Sequence, residues 1–338
     1  MADSPNIKPS ARPTLKTIAQ MTGLAVATVS RALHGADDLS ADTKKRVREA
    51  AEKIGYRPNR AGVRLRTGKT NVISLVLSTD HDMMNHTARL ISSIAGAFRN
   101  TPYHLIITPY FADEDPMDPV RYIVETGSAD AIILNQTTPE DARVAYLLDK
   151  GFPFASHGRT TWCDRHAYFD FDNTAFAEIA IAELHKNQRR EMLLILPPRH
   201  QNYAINLETG AQRSAGELGV KVSILDGATS DDASEQIEAE TRRFIAAHPA
   251  TDAILCASTI SSMAATAAAE SLGRVLGQDI DIAAKEAVSF LKHFRPSILT
   301  LHEDVSKAGA FLARATIQAI SDPTAKPMQY LDAPKHVG

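Results

Sequence analysis

The chain has 338 residues, 44% of them apolar, with a net charge of −3, enough sequence for two or three domains with sizeable cores. That small net charge hides an asymmetry: residues 1–70 carry 14 Lys+Arg against 6 Asp+Glu, and the remainder 23 against 34, so a polyanionic partner is expected for the N-terminal part alone. Two cysteines, Cys163 and Cys256, exclude a disulfide framework and a four-cysteine zinc site and fit a reducing, cytoplasmic setting, while neither the proline-bearing first 17 residues nor the polar run Ala253 to Ala269 is expected to be a secretory signal or a membrane span.

In chain order, residues 1–13 read as a polar tail. Residues 14–55 read as three short helices, with apolar positions at Leu15, Ile18 and Ala19, then Val26, Val29 and Leu33, then Val47, Ala50, Ala51 and Ile54. Thr14 and Ser40 are placed to cap the first and third. Ala19, Gly23 and Val29 have the spacing of a helix-turn-helix: a small residue for close helix crossing, a glycine free to take positive φ, and an apolar side chain for the shared core. The second helix, Val26 to Leu33, would then enter the major groove.

From Asn71 onward, β-rich runs alternate with helical stretches. Strands are predicted at Val72–Leu77, His104–Thr108, Ala131–Leu134, Met192–Leu196, Val220–Leu225, Ala253–Cys256, Ile280–Ala283 and Ile298–Leu301. Helices are predicted at Ala88–Phe98, Asp141–Leu148, Ala175–His185, Ser234–Ala247 and Val305–Ile320. The alternation gives an α/β class with doubly wound parallel sheets, and the length suits two lobes.

The run Gly23-Leu24-Ala25-Val26-Ala27-Thr28-Val29-Ser30-Arg31-Ala32-Leu33 resembles the lac-repressor (LacI/GalR) family of bacterial transcription regulators. So do Leu39 to Val47, Ile54-Gly55-Tyr56-Arg57-Pro58-Asn59 and Leu65-Arg66-Thr67-Gly68. The resemblance implies a DNA-binding domain at 14–57, a hinge and linker at 58–70, and an effector-binding and dimerisation domain at 71–338. It implies that Val26 and Ala27 select bases, and that Thr28 and Arg31 add base or phosphate contacts. A guanidinium such as that of Arg31 can bond guanine bidentately, a contact worth roughly 1–3 kcal/mol of discrimination. Thr14 and Ser30 complete the candidate set on the head. Where the family usually has a capping serine, this chain has Ala25.

The segment Asn59 to Arg66 is short and basic and contains Gly62; such a helix is marginal alone in water. In the family it pairs with its dimer mate in the minor groove. Leu65 matches the wedge that unstacks a base step, with Arg64 and Arg66 holding the adjacent backbone; Asn59 and Arg60 complete the DNA-binding candidates.

The body resembles periplasmic sugar-binding proteins through Asp172-Asn173, Asp252-Ala253-Ile254 and Arg295-Pro296 before Ile298-Leu299-Thr300. Two lobes closing on a small, carbohydrate-related effector are therefore expected. The family's usual cleft residues are replaced by Ser258-Thr259 and Leu207; only Glu286 keeps a matching carboxylate, so a standard hexose geometry is not expected. Ligands of open α/β sheets sit at strand C-termini. The candidates there are Asp80, His81, Asp82, Tyr110, Asn135, His157, Arg159, Trp162 (the sole tryptophan), Tyr203, Asn206, Thr259 and Glu286.

No metal or other cofactor is expected. His81 and His86 are off helical spacing, and His166 with Asp170 and Asp172 is a generic pattern. No nucleophile elbow, phosphate-cradling loop or His-Glu-x-x-His stretch occurs, so an enzyme is not expected. The expected protein is a cytoplasmic transcription regulator, a repressor by the family's commonest behaviour, that binds a pseudo-palindromic double-stranded operator as a homodimer or larger assembly, without a membrane partner. The alternative is a sugar-binding solute receptor.

Overall fold

The computed structural model describes residues 13–57, 62, 64, 67–79, 84–111, 113–287 and 289–336. The chain divides into two units, Met1–Thr70 and Asn71–Gly338.

In the first unit, α1 (Leu15–Thr22), α2 (Val26–Leu33) and α3 (Ala41–Lys53) enclose a small core of Ile18, Ala19, Val29, Ala32, Val47 and Ala51. Thr14 caps α1: its hydroxyl accepts from the Thr17 amide, and the Thr17 side chain returns the bond to the Thr14 amide. Gly23 ends α1 at φ +69°, a left-handed conformation that costs glycine nothing and turns the chain into α2. Ser40 caps α3 through the Thr43 amide. At the start of α2, Ala25 makes no side-chain cap bond.

The second unit has two six-stranded sheets among the described residues. The first runs β11-β5-β4-β3-β1-β2, from Val72–Ser78 (β1), His104–Tyr110 (β2), Ala131–Leu134 (β3), Phe154–His157 (β4), Ala167–Phe171 (β5) and Gln329–Asp332 (β11). The second runs β12-β10-β9-β8-β6-β7, from Glu191–Ile195 (β6), Lys221–Ile224 (β7), Ala253–Cys256 (β8), Asp281–Glu286 (β9), Leu299–His302 (β10) and Lys335–His336 (β12). Pairing is parallel except between β10 and β12. In each lobe the second strand lies outside the first and the third lies on the other side. That order reverses direction between the first and third strands and opens a crevice at their C-terminal ends.

Helices cover both faces of each sheet, which is why the inner strands are apolar at consecutive positions. In β1, Ile73 and Leu75 pack with Leu90 and Ile94 of α4 (Met84–Ala97) and with Ala308 and Leu312 of α12 (Val305–Ser321). The alternate residues Val72 and Val76 face Val120 and Ile123 of α5 (Met117–Thr126) and Val144 and Leu147 of α6 (Ala142–Lys150). The second lobe repeats the scheme. Met192 and Leu194 face Phe176 and Leu184 of α7 (Asn173–Lys186) and Leu207 of α8 (Asn202–Leu218). Leu193 and Ile195 face Ile237 of α9 (Ser234–Ala247), Ala265 of α10 (Thr259–Ser271) and Leu291 of α11 (Leu291–Phe294). Each fully buried Leu, Ile or Phe side chain contributes on the order of 1.5–3 kcal/mol.

Among the described residues the chain passes between the lobes at three places: from β5 into α7, from β10 through Glu303 into α12, and from β11 to β12. Strands β4, β5, β11 and β12 fall outside the runs predicted from sequence. They are two to five residues long and interrupted by His157, Asp170, Asp332 and Lys335, so apolar run length does not reveal them. No helix among the described residues is long and apolar enough to cross a membrane.

Candidate functional site

These elements build two candidate recognition surfaces. On the first unit, α2 buries Val29 and Ala32 and leaves Val26, at 44% exposure, and Ala27 outward. Val26 is thus not needed by the three-helix core. Arg31, in the last turn of the same helix, is exposed and ion-paired with Asp38. Thr28 and Ser30 are half-buried; the Ser30 carbonyl is 2.6 Å from His34 Nδ1. Thr14 is exposed beside α1 and Arg64 is exposed. Asn59, Arg60, Leu65 and Arg66 lie outside the described residues.

On the second unit, a cavity of about 450 Å³ is lined from both lobes. Of the residues expected at a ligand site, it brings together Asn135, His157, Arg159, Tyr203 and Thr259. His157 ends β4, and its Nδ1 lies 3.0 Å from Asn135 Oδ1. Burial, then the neighbouring His86, pulls the imidazole down to about 4. Arg159 bonds Asp170 on β5, Nε to Oδ2, at 2.7 Å. Burial pushes the Asp170 carboxyl up to about 6, while the Arg159 guanidinium pulls it the other way.

The second lobe supplies a second set of paired charges. Lys285, near the end of β9, lies 3.2 Å from Glu303 Oε2 and donates to Asn173 Oδ1 at 3.2 Å. Its Nζ also sits 5.4 Å from the ring centroids of Phe171 and Tyr203. Burial works against ionising Glu303, but Lys285 and then His86 outweigh it and hold this carboxyl well below its ordinary value. Tyr203 donates to Asp231 at 3.0 Å. Burial, reinforced by Asp231, holds the phenol well above its ordinary value and keeps it protonated.

The cavity rim is fixed by backbone chemistry. Arg143 is buried, pairs with Asp141 at 2.7 Å, and donates to the Asn135 and Gln136 carbonyls, anchoring the loop after β3. The Arg159 carbonyl accepts from Thr137 Oγ1 and from Asn202 Nδ2, each at 2.9 Å, which links the first lobe to α8. Gly158 has φ +115°, and a Cβ there would lie 2.4 Å from Thr137 Oγ1, so a side chain is excluded by both backbone and neighbour.

Other expected residues lie elsewhere. Among the described residues, Tyr110, Trp162, Asn206 and Glu286 do not line the cavity. Tyr110 and Trp162 pack on the outer core of the first lobe. The Asn206 carbonyl accepts from Thr174. Glu286 is fully buried, and its Oε1 accepts from the Phe290 and Leu291 amides at 2.5 and 2.6 Å. Neighbours on a strand face opposite sides; here Lys285 takes the cavity side and Glu286 the interior. Asp80, His81 and Asp82 lie outside the described residues.

Comparison with known proteins follows the same division. Residues 14–59 match the lacI family of bacterial regulatory proteins, and residues 181–337 match the periplasmic binding protein-like domain. The HTH-type transcriptional regulator AglR of Rhizobium meliloti (strain 1021) is 31% identical over 326 residues, covering 94% of this chain and 90% of AglR. The chain belongs to the lacI family. It is a helix-turn-helix, DNA-binding transcriptional regulator with a periplasmic-binding-protein-like body. Among solved structures, the lac repressor dimer bound to operator and the anti-inducer ONPF aligns with a TM-score of 0.83 at 16% identity, over 97% of this chain and 98% of that one. The CelR–cellobiose complex aligns at 0.69 and 21% identity, over 97% and 99%.

Sequence reading of this family member missed His86, Asp170, Lys285, Asp231 and Glu303 as cavity residues. For Lys285 the signal was present, since strand alternation offers it as the partner choice to Glu286. Glu303 carries no local signal, because its place depends on where the chain leaves β10 for the other lobe.

Proposed function

We propose that this regulator binds a pseudo-palindromic operator as a homodimer and that its effector is a neutral carbohydrate of about disaccharide size. On this reading Val26, Ala27 and Arg31 meet base edges, Thr14, Thr28, Ser30 and Arg64 help hold the backbone, and 58–70 is the hinge segment that couples the units. The observation that carries the effector assignment is the internal pairing of the cavity's cations, Arg159 with Asp170 and Lys285 with Glu303, while the Asp231 carboxylate accepts from the Tyr203 hydroxyl. An anionic ligand drawn to Arg159 or Lys285 would displace the carboxylate paired there and leave a buried charge without its partner. A polyol instead meets polar groups already oriented, beside the rings of Phe171, Tyr203 and Phe290, which suit the apolar face of a sugar. The size fits, and the CelR neighbour was solved with cellobiose, itself a neutral disaccharide.

The cavity is read as a binding site rather than a catalytic one. Its carboxylates are occupied by Arg159, Lys285 and Tyr203, which favours holding a ligand over attacking it. A DNA partner supports a cytoplasmic setting. Ligand binding would shift lobe closure and, through the hinge segment, operator affinity; a coupling of about 1–3 kcal/mol suffices.

A thermal-shift series tests the assignment, since a ligand of the folded state raises the melting temperature. Neutral disaccharides are expected to include a stabilising compound, and Arg159→Ala is expected to abolish that shift. Stabilisation by sugar phosphates or sugar acids alone would overturn the neutral-ligand reading.

A further inference from the structure

In the lining of the cavity, three potential metal ligands converge from separate parts of the second unit: His86 on α4, His157 at the end of β4, and Glu303 in the crossing after β10. Their donor atoms all lie within 4.8 Å of one another. His86 Nε2 is 3.3 Å from Glu303 Oε1, and His157 Nε2 is 3.9 Å from the same oxygen. We propose that His86, His157 and Glu303 form a divalent transition-metal site of the zinc type, with the open coordination position facing the cavity.

The donor set and its surroundings support this. Zinc held at about 2.0–2.2 Å by nitrogen and oxygen donors needs them roughly 3.3–3.5 Å apart in a tetrahedron. The His86–Glu303 pair already has that separation, His157 lies 3.9 Å from the same oxygen, and the 4.8 Å bound on the three donors leaves an approach of at most about 1.5 Å to reach tetrahedral spacing. Two histidines and one carboxylate make a three-ligand set, the arrangement that leaves a fourth position for water or a ligand oxygen. Outer groups orient the donors. Asn135 Oδ1, 3.0 Å from His157 Nδ1, leaves Nε2 for the centre. Lys285 engages the other carboxylate oxygen, Oε2, leaving Oε1 to both imidazoles. The two rings stack with centroids 5.5 Å apart, so both present the same edge to Glu303.

The site has a mechanical consequence. His86 and His157 belong to the first lobe, whereas Glu303 follows a strand of the second. An ion bound here ties the crossing segment to the first lobe. Its free coordination position could take a hydroxyl oxygen from a ligand in the same cavity.

The test uses full-length protein freed of metal by chelator and titrated with zinc chloride alone, in the absence of carbohydrate. Cobalt(II) serves as the visible-absorbing substitute. The expected result is one saturable equivalent per chain, with cobalt bands of a four- or five-coordinate centre. His86→Gln and His157→Gln are each expected to weaken zinc binding by at least about tenfold, as loss of a ligand requires. Glu303→Gln should do the same; because Glu303 is buried beside Lys285, the half-buried His86 position gives the decisive variant. Absence of saturable zinc binding by the parent protein would overturn the proposal. So would a zinc affinity unchanged in a folded His86→Gln variant. The titration contains no sugar, so its outcome is separate from that of the effector assignment.

Discussion

On the first unit, five of the candidate recognition groups, Val26, Ala27, Thr28, Ser30 and Arg31, sit on one eight-residue helix, with Val26, Ala27 and Arg31 exposed. In the cavity they come from stretches scattered between His86 and Glu303 and point inward. The helix can leave Arg31 in water, where its pair with Asp38 costs little and is screened by salt. The cavity and the loop that frames it cannot do so: each of Lys285, Glu303 and, behind the rim, Arg143 is nearly out of solvent and is held by a partner. Recognition on the surface therefore depends on which side chains are present. Recognition in the interior depends equally on which partner each side chain keeps.

The largest effect expected from this contrast is in the rim of the cavity. Asp141→Ala leaves the Arg143 guanidinium buried without its carboxylate, which should cost roughly 3–5 kcal/mol. It should also loosen the loop carrying Asn135 and Thr137. A melt of the full chain should show the second unit destabilised, with hydrogen exchange at Ile18 and Val29 unchanged. Equal destabilisation of both units would contradict the separation drawn here.

Arg31→Ala should behave in the opposite manner. Folding should stay within about 0.5 kcal/mol of the parent, as for an exposed ion pair. Operator affinity should fall by roughly 1–3 kcal/mol in a gel-shift titration if Arg31 reads a guanine. A loss that is the same on every DNA sequence would assign it to the phosphate backbone instead.

The uncapped start of α2 is a smaller defect. Ala25→Ser supplies an acceptor for the free amides and should stabilise the first unit by about 1 kcal/mol, read as slower hydrogen exchange in α2. The smallest effect concerns acid. Burial lowers the His166 imidazole below its ordinary 6.5. The unfolded chain then takes up a proton first as pH falls below about 6.5, so this residue's stability contribution is present above that pH and declines below it. His166→Asn should therefore show a shallower drop in melting temperature between pH 7.5 and 5.5 than the parent.

The same contrast explains what the sequence disclosed. Thr14, Ala19, Gly23, Val29 and Ser40 act through neighbours a few residues away, so spacing alone places the caps, the turn and the three-helix core. The longer apolar strands were legible for the same reason. In the cavity, Asn135, His157 and Arg159 could be suspected because they follow strand ends. The alignment of His86 with Glu303, 217 positions later, needs the three-dimensional crossing of the lobes. Glu286 misled because sequence position gives a neighbourhood, while the pleat decides which of two adjacent side chains enters the site.

The central claim is that operator grip is tuned by an uncharged sugar in the paired-charge cavity. Its most direct measurement is an anisotropy titration of full-length protein on a duplex selected from random sequences, at fixed salt, with and without each of a panel of neutral disaccharides that includes cellobiose. The account predicts that at least one of them changes the dissociation constant by about 5–150-fold, and that Arg159→Ala removes the change while leaving the sugar-free affinity intact. Tight operator binding that no neutral disaccharide alters, but that a sugar phosphate does, would contradict it.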